Sequence, residues 1–515
     1  MAEPDTRLSA VIHPERGIGW ITLGASLHAI LTRLKAQPQS YPELDLSYSA
    51  SDPVLQPIIL NLPANGIRLR FDGPDQRLRL IEVLDFSKST LTYDNIELVR
   101  RSKSSNDGSM DQQASAQGPP FRHIYNRLFG PSYAGEYVAP AGSGTGTYVL
   151  SYPGISFSFP LRDKSWSTKA DFVSLLSSTA AGPATSMAVY QGRTWAEART
   201  KLYTAIPSLP RSLALSNKNK EAVPDEIEQV RILGSGRLEF LRRSSPSLQI
   251  ILNETTPQDL VAELGPPDAI YRKNDRRISI HAGRAPKNNR QASLSPAMRP
   301  HTTESDQSSA HSYTEDSDEG AQNQHEPSTK VECFYNYFHH GFDALVSYPS
   351  EPSPPFPDSN VADSTDNTPT TCHLVVNKIL LHANVPGSYS FNRHRRSRWT
   401  IHTSSNYGIL TSEMFFPELS SKLKGVWQGY YKDADEEERM QRSMVLNRGW
   451  GESPESSIEL LGGFEEQDTG QKKGGSAKQG PSESVNGLSN TALFGFPGLL
   501  FEVLKNDAVS CLTVY

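Results

Sequence analysis

Cysteine is scarce in this chain. There are three in 515 residues, Cys333, Cys372 and Cys511. They lie far apart with no Cys-x-x-Cys spacing, which argues against a zinc site or a disulfide framework and suits a reducing compartment. Long apolar runs are missing too. No window approaches the ~20 residues of a spanning helix, and the start, Met1-Ala2-Glu3-Pro4-Asp5, is polar and acidic, unlike a secretory leader. The expectation is a cytoplasmic or peripheral membrane protein with no transmembrane segment. Neither sign of charge dominates: the net value of −6 is too mild to make nucleic acid the general partner. At 36% the hydrophobic fraction is low for this length, so much of the chain is not core.

Catalytic signatures are also lacking. No Gly-x-Ser-x-Gly, His-Glu-x-x-His or P-loop occurs. Gly142 to Gly146 is glycine-rich, but a strand rather than a helix follows it, so its amides do not form a phosphate cradle. His339-His340 has no His, Cys or carboxylate partner at ligand spacing. No catalytic residue, metal or cofactor is expected, although missing motifs do not exclude an enzyme.

What the chain does have is a recurring hairpin. From Gly66 to Val83, Ile67, Leu69 and Phe71 alternate with Arg68 and Arg70, the period of a strand with one buried face. Asp72-Gly73-Pro74-Asp75 supplies turn chemistry, and Arg77-Leu78-Arg79-Leu80 resumes the alternation. The phase slips at Leu80-Ile81, as a β-bulge or burial on both faces would cause. Arg68, Arg70, Arg77 and Arg79 can share one face, either simply solvated or a patch for an anionic partner. Looser Gly-led versions follow at Gly154-Ile155, Gly341-Phe342 and Gly498-Leu499.

Helical stripes accompany the hairpins. Leu27, Ile30, Leu31 and Leu34 follow Ser26 as N-cap, Phe121 to Leu128 stop at Gly130-Pro131, and Leu260, Val261 and Leu264 follow Thr256-Pro257. Pro417 to Lys424 suits a short helix. Together these predict an α+β fold: repeated helix plus antiparallel β-hairpin or meander units forming two lobes, with long disordered insertions. The boundaries are an N-terminal lobe over 8–200, a linker over 201–225 and a C-terminal lobe over 226–515. Polar insertions at 283–330, 349–371 and about 430–490 interrupt the second lobe. The final strand runs to Tyr515, so truncation there removes sheet.

The ordered segments resemble the phagosome (phagophore) assembly factor family. The resemblance rests on Pro14 to Gly19, Leu23-Gly24, Ile59 to Leu62 and the hairpin to Val83, on Gly154 to Phe159, Leu264 to Pro267 and Tyr335 to Phe338, on Gly341-Phe342-Asp343, and on His382 to Asn392 and Phe501 to Val503. These matches run in order over nearly the whole chain. The large polar insertions and an altered stretch at 430–460 depart from the pattern. The resemblance implies a non-enzymatic autophagy factor, a scaffold that pairs with a WD40 β-propeller protein and gathers at the phagophore assembly site, where phosphoinositides are read. A general vesicle-trafficking adaptor and a hydrolase with an unrecognised site are the alternative readings.

Two stretches are candidate contacts. Arg393, His394, Arg395, Arg396, Arg398 and Trp399 form the densest basic run. At about 1 kcal/mol per arginine near an anionic bilayer, four would make a weak lipid or partner anchor; the other reading is a solvated loop or a charge-protected edge. Trp20 and Leu23 have the aromatic-x-x-aliphatic spacing of segments that add a strand to ubiquitin-like proteins, as do Phe416 and Leu419. The spacing also suits core residues.

Overall fold

The structure, a computed structural model, describes residues 8–99, 118–140, 145–162, 166–167, 171–204, 207, 225–272, 332–349, 373–403, 407–447 and 490–515. The proposed insertions at 283–330 and 349–371 and most of the proposed linker lie essentially outside these residues.

The first lobe opens with β1 (Leu8–His13), β2 (Gly17–Ile18) and β3 (Ile21–Thr22), then α1 (Leu27–Lys35). The meander β4 (Asp45–Ser47), β5 (Ile58–Leu62), β6 (Ile67–Phe71) and β7 (Leu78–Val83) follows, then β8 (Ser89–Tyr93) and β9 (Ile96–Glu97). After α2 (Phe121–His123), which runs on into a wider π turn over Ile124–Leu128, come β10 (Glu136–Val138), β11 (Thr145–Tyr152) and β12 (Ile155–Arg162). Next are α3 (Phe172–Leu176), β13 (Ser186–Val189) and α4 (Trp195–Lys201). These strands build a five-stranded sheet, β3-β2-β1-β8-β9, and an eight-stranded sheet, β10-β11-β12-β13-β7-β6-β5-β4.

The second lobe repeats this plan. β14 (Ile227–Gly234), β15 (Arg237–Arg242) and β16 (Leu248–Ile251) lead to α5 (Pro257–Leu264), then β17 (Ala269–Arg272), β18 (Cys333–Tyr337), β19 (Phe342–Ser347) and β20 (Val375–His382). β21 (Trp399–His402) and β22 (Ile409–Thr411) precede α6 (Phe416–Val426) and α7 (Ala434–Gln441). The chain closes with β23 (Met444–Asn447), β24 (Asn490–Phe496), β25 (Leu499–Val503) and β26 (Val509–Val514). The sheet orders are β16-β15-β14-β21-β22 and β17-β18-β19-β20-β26-β25-β24-β23. Each five-stranded sheet has one parallel pair, β1 with β8 and β14 with β21. Each eight-stranded sheet joins two antiparallel meanders, through β7 with β13 or β20 with β26. The molecule is thus an α+β fold made of one topology used twice, and the four Gly-led hairpins fall two to a lobe.

The local chemistry follows the patterns. Ser26 accepts from the Ala29 amide at 3.3 Å, and α1 buries Leu27, Ile30, Leu31 and Leu34 in the first core. Thr256 and Asp259 close a reciprocal capping box on α5. The hairpin has its register shift where Arg70 faces Leu80 and Phe71 faces Leu78, which bulges Arg79 out of the ladder; β7 is buried along both faces. The region 430–490, expected to be an insertion, is corrected in its first part. Residues 434–441 are α7, capped by Asp433, and 444–447 are the edge strand β23; an acidic first turn suits a helix N-terminus even where composition is polar. Among the described residues no helix is long and apolar enough to cross a membrane.

Candidate functional site

One connection after the first meander is longer in the second lobe than in the first. Between β7 and β8 the first lobe spends residues 84–88, whereas between β20 and β21 the second spends 383–398. The extra length reaches across. Phe391 is part of the first lobe's core. Asn384 and Gln76 exchange two amide hydrogen bonds, each 2.8 Å, with both residues buried. Gln76, Asn384 and Asn392 all hold positive φ, 49°, 49° and 63°, so the seam keeps three non-glycine residues in a sparsely populated conformation, as tightly determined sites do. Gly341 lets this happen: at φ 86° a Cβ there would stand 2.5 Å from the Arg395 carbonyl oxygen.

The turn of the Gly66–Val83 hairpin docks on the basic run. Arg396, buried, donates through Nε to the Pro74 carbonyl at 2.7 Å and through Nη1 to the Ala383 carbonyl at 2.7 Å. Arg398 bridges Asp75 at 2.5 Å and Glu413 at 2.8 Å. Arg77 meets Glu226 at 2.6 Å. Arg395 donates to the Ile227 carbonyl at 3.1 Å and stands 3.9 Å from Glu226. Burial alone would raise the pKa of Glu226; Arg395 and Arg77 hold it below the ordinary value. Burial, reinforced by the charge of Arg77, pulls Arg395 down to about 10, and burial lowers Arg396 as well.

The run is therefore not a solvated loop presented to a bilayer. His394, Arg395, Arg396 and Trp399 are buried, Arg398 is partly so, and only Arg393 is exposed, stacked over Phe338 at 6.0 Å. Desolvating so many cations is tolerated because carbonyls and carboxylates of both lobes meet them. The shared basic face on the hairpin is corrected in the same way. Arg77 and Arg79 are buried, and Arg79 turns onto Asp72 and Asp75. Arg68 bonds Asn61, and Arg70 pairs with Glu82 at 2.7 Å. Leu23 is buried; Trp20 is half-buried, donating to the Tyr41 hydroxyl at 3.0 Å, with Arg33 over its ring at 4.5 Å. Phe416 and Leu419 lie in the second core. Gly142 to Gly144 lie outside the described residues, and Thr145 and Gly146 open β11.

Sequence reading missed a cluster behind the run. Asp343 on β19 receives His382 Nε2 at 2.9 Å on one oxygen and His394 Nε2 at 2.8 Å on the other. The rings stack at 3.8 Å and 13°, and Cys511, facing His382 across β20 and β26, hydrogen-bonds it. Ligand atoms of Asp343, His382 and His394 lie within 4.8 Å of one another, close enough to hold a metal ion. As arranged, however, both Nε2 atoms are spent on the carboxylate, and side-by-side rings do not converge on one point as tetrahedral zinc ligands must. The geometry is that of a carboxylate clamp, one oxygen to each imidazole, tying the 383–398 connection to the sheet. Nothing in spacing flagged it, because its members are 39 and 51 positions apart.

Comparison with known proteins bears on both lobes. The family model for phagosome assembly factor 1 matches residues 17–297 and 291–515. A PHAF1 protein of Arabidopsis thaliana is 23% identical over 511 residues, covering 98% of this chain and 92% of its own length. A PHAF1 protein of Drosophila melanogaster is 22% identical over 532 residues, covering 99% and 94%. One of Caenorhabditis elegans is 26% identical over 279 residues, covering 51% and 60%. No solved structure matches. With both lobes matched in order by the family model, this chain belongs to the phagosome assembly factor 1 family.

Proposed function

We propose that this protein is a non-enzymatic autophagy factor, a scaffold that docks a WD40-propeller partner and gathers with it at the phagophore assembly site on membrane carrying phosphoinositides. The observation that carries the reading is the family match along both lobes, since the family is named for assembly rather than for a reaction. The shape of the molecule supports it. An open groove runs along α7, flanked by Lys424, Asp433 and Glu437, unlike the apolar pocket with a few convergent polar groups that small substrates favour. Among the described residues the eight-stranded sheet of the second lobe ends in β17 and β23, whose Ile270, Tyr271, Met444 and Val445 are exposed; sheet edges of this kind accept strands from partners. The test is affinity purification of the full chain from starved cells. A propeller protein recovered in near-equal amount is the expected result, and its absence would overturn the reading.

A further inference from the structure

Four guanidinium groups converge on one small cavity in the seam. Arg77 from the hairpin and Arg395, Arg396 and Arg398 from the connection line it, with Asp75 and Glu228 beside them, and its volume is about 140 Å³. A single water needs roughly 10–15 Å³ of such space, so a tetrahedral oxyanion has room. The carboxylates nearby are already engaged. Asp75 serves Arg398 and Arg79, Glu226 serves Arg77 and Arg243, Glu228 serves Arg243, and Glu413 serves Arg398. Arg396 hydrogen-bonds carbonyl oxygens of Pro74, Ala383 and Ser412. Arg395, 6% exposed, has one carboxylate oxygen of the described residues within 4 Å, at 3.9 Å. Its Nη1 is buried with no hydrogen-bond acceptor among the described residues. Native structures rarely leave a buried charged donor without an acceptor.

We propose that this cavity binds a phosphate-class anion, inorganic phosphate or the phosphate of a monoester, held among these arginines with Arg395, weakly engaged by protein carboxylate, as its central donor. Several guanidinium groups approaching from different chain segments suit a multivalent tetrahedral oxyanion, whose oxygens accept in several directions. The ligand would touch residues of both lobes and so favour the docked arrangement. The inference stands apart from the partner reading: loss of the propeller interaction would leave it intact, and its own failure would not touch that interaction.

The full chain should be titrated calorimetrically with inorganic phosphate against sodium chloride of equal ionic strength. In parallel it should be floated with phosphatidylcholine vesicles carrying phosphatidylinositol 3-phosphate. Arg395→Gln is expected to weaken phosphate binding by roughly ten-fold or more, the loss of a charge-assisted bond. Glu228→Gln, which removes a carboxylate from the wall without breaking the seam, is expected to tighten it several-fold, a gain that a merely structural arginine cluster would not give. If the same pair of effects appears with vesicles but not with free phosphate, the anion is a lipid headgroup and the site stands. Binding of neither probe, or binding unchanged by both substitutions, would overturn the proposal.

Discussion

The Asp343 carboxylate holds two imidazoles, and three protonation equilibria are coupled through it. Burial pushes its pKa up, but hydrogen bonds from His382 and His394 prevail and hold it well below the carboxylate range. Burial pulls His382 down, yet Cys511 and Asp343 raise it to about 10. Burial and the charge of His382 lower His394 to about 4. Near neutrality the cluster is therefore an aspartate, a charged His382 and a neutral His394. The signs follow by linkage. The contribution of His382 is fully present below its ordinary 6.5 and is lost as pH rises towards about 10. That of neutral His394 is lost as pH falls from 6.5 towards about 4. His382→Gln should cost about 3 kcal/mol at pH 7, the scale of a broken buried pair. Urea denaturation of both proteins at pH 7 and pH 9.5 checks this: the gap should narrow at the higher pH, and a constant gap would show that His382 is not charged in the fold.

At the scale of elements, the 383–398 connection distinguishes the second lobe from the first, and two glycines show what its docking demands. Gly341 and Gly498 both lead strands with positive φ, 86° and 75°. A Cβ at Gly498 would have its nearest neighbour at 3.5 Å, whereas one at Gly341 would press on the Arg395 carbonyl at 2.5 Å. Gly498→Ala should cost about 1–2 kcal/mol, the strain of left-handed backbone alone. Gly341→Ala adds overpacking and should cost about 2–4 kcal/mol. Denaturation midpoints of the pair separate the terms; equal losses would mean that the connection yields freely at Arg395. The two glycines look alike in sequence, since each simply precedes an alternating strand. What Gly341 packs against lies more than fifty positions away, and no local pattern carries that.

For the whole molecule, duplication would allow two independent lobes, but the seam argues for one cooperative unit. Phe391, from a connection of the second lobe, is 2% exposed within the first lobe's core. The Gln76–Asn384 pair, the Arg398–Asp75 pair and the contact of Asn506 with the Ala50 carbonyl add further ties. Phe391→Ala should cost about 3–5 kcal/mol, as large-to-small core changes do. In calorimetry the single transition expected of the parent should then split, with the first lobe melting earlier. A variant that lowers only a second-lobe transition would show that Phe391 contributes nothing to the first core.

The sequence by itself determined what local chemistry controls. Alternation drew β5, β6 and β12, Ser26 and Thr256 capped their helices, and a glycine opened each central hairpin. The phase slip near Leu80 announced the bulge that the structure places at Arg79. These features depend on neighbours within a few positions, so one chain read in order suffices for them. The ordered matches along the chain also made the family legible. Composition could not distinguish polar surface helix from insertion, which is why α7 and β23 were missed. Above all, tertiary structure alone decided what the charges do. Arg396 looked like a bilayer contact because its neighbours are basic, yet its partner at Pro74 is 322 positions away. A dense basic run reads the same whether it faces water or another lobe. Only folding, which brings Pro74 and Asp75 against it and removes the solvent, turned that run into the seam of a duplicated molecule.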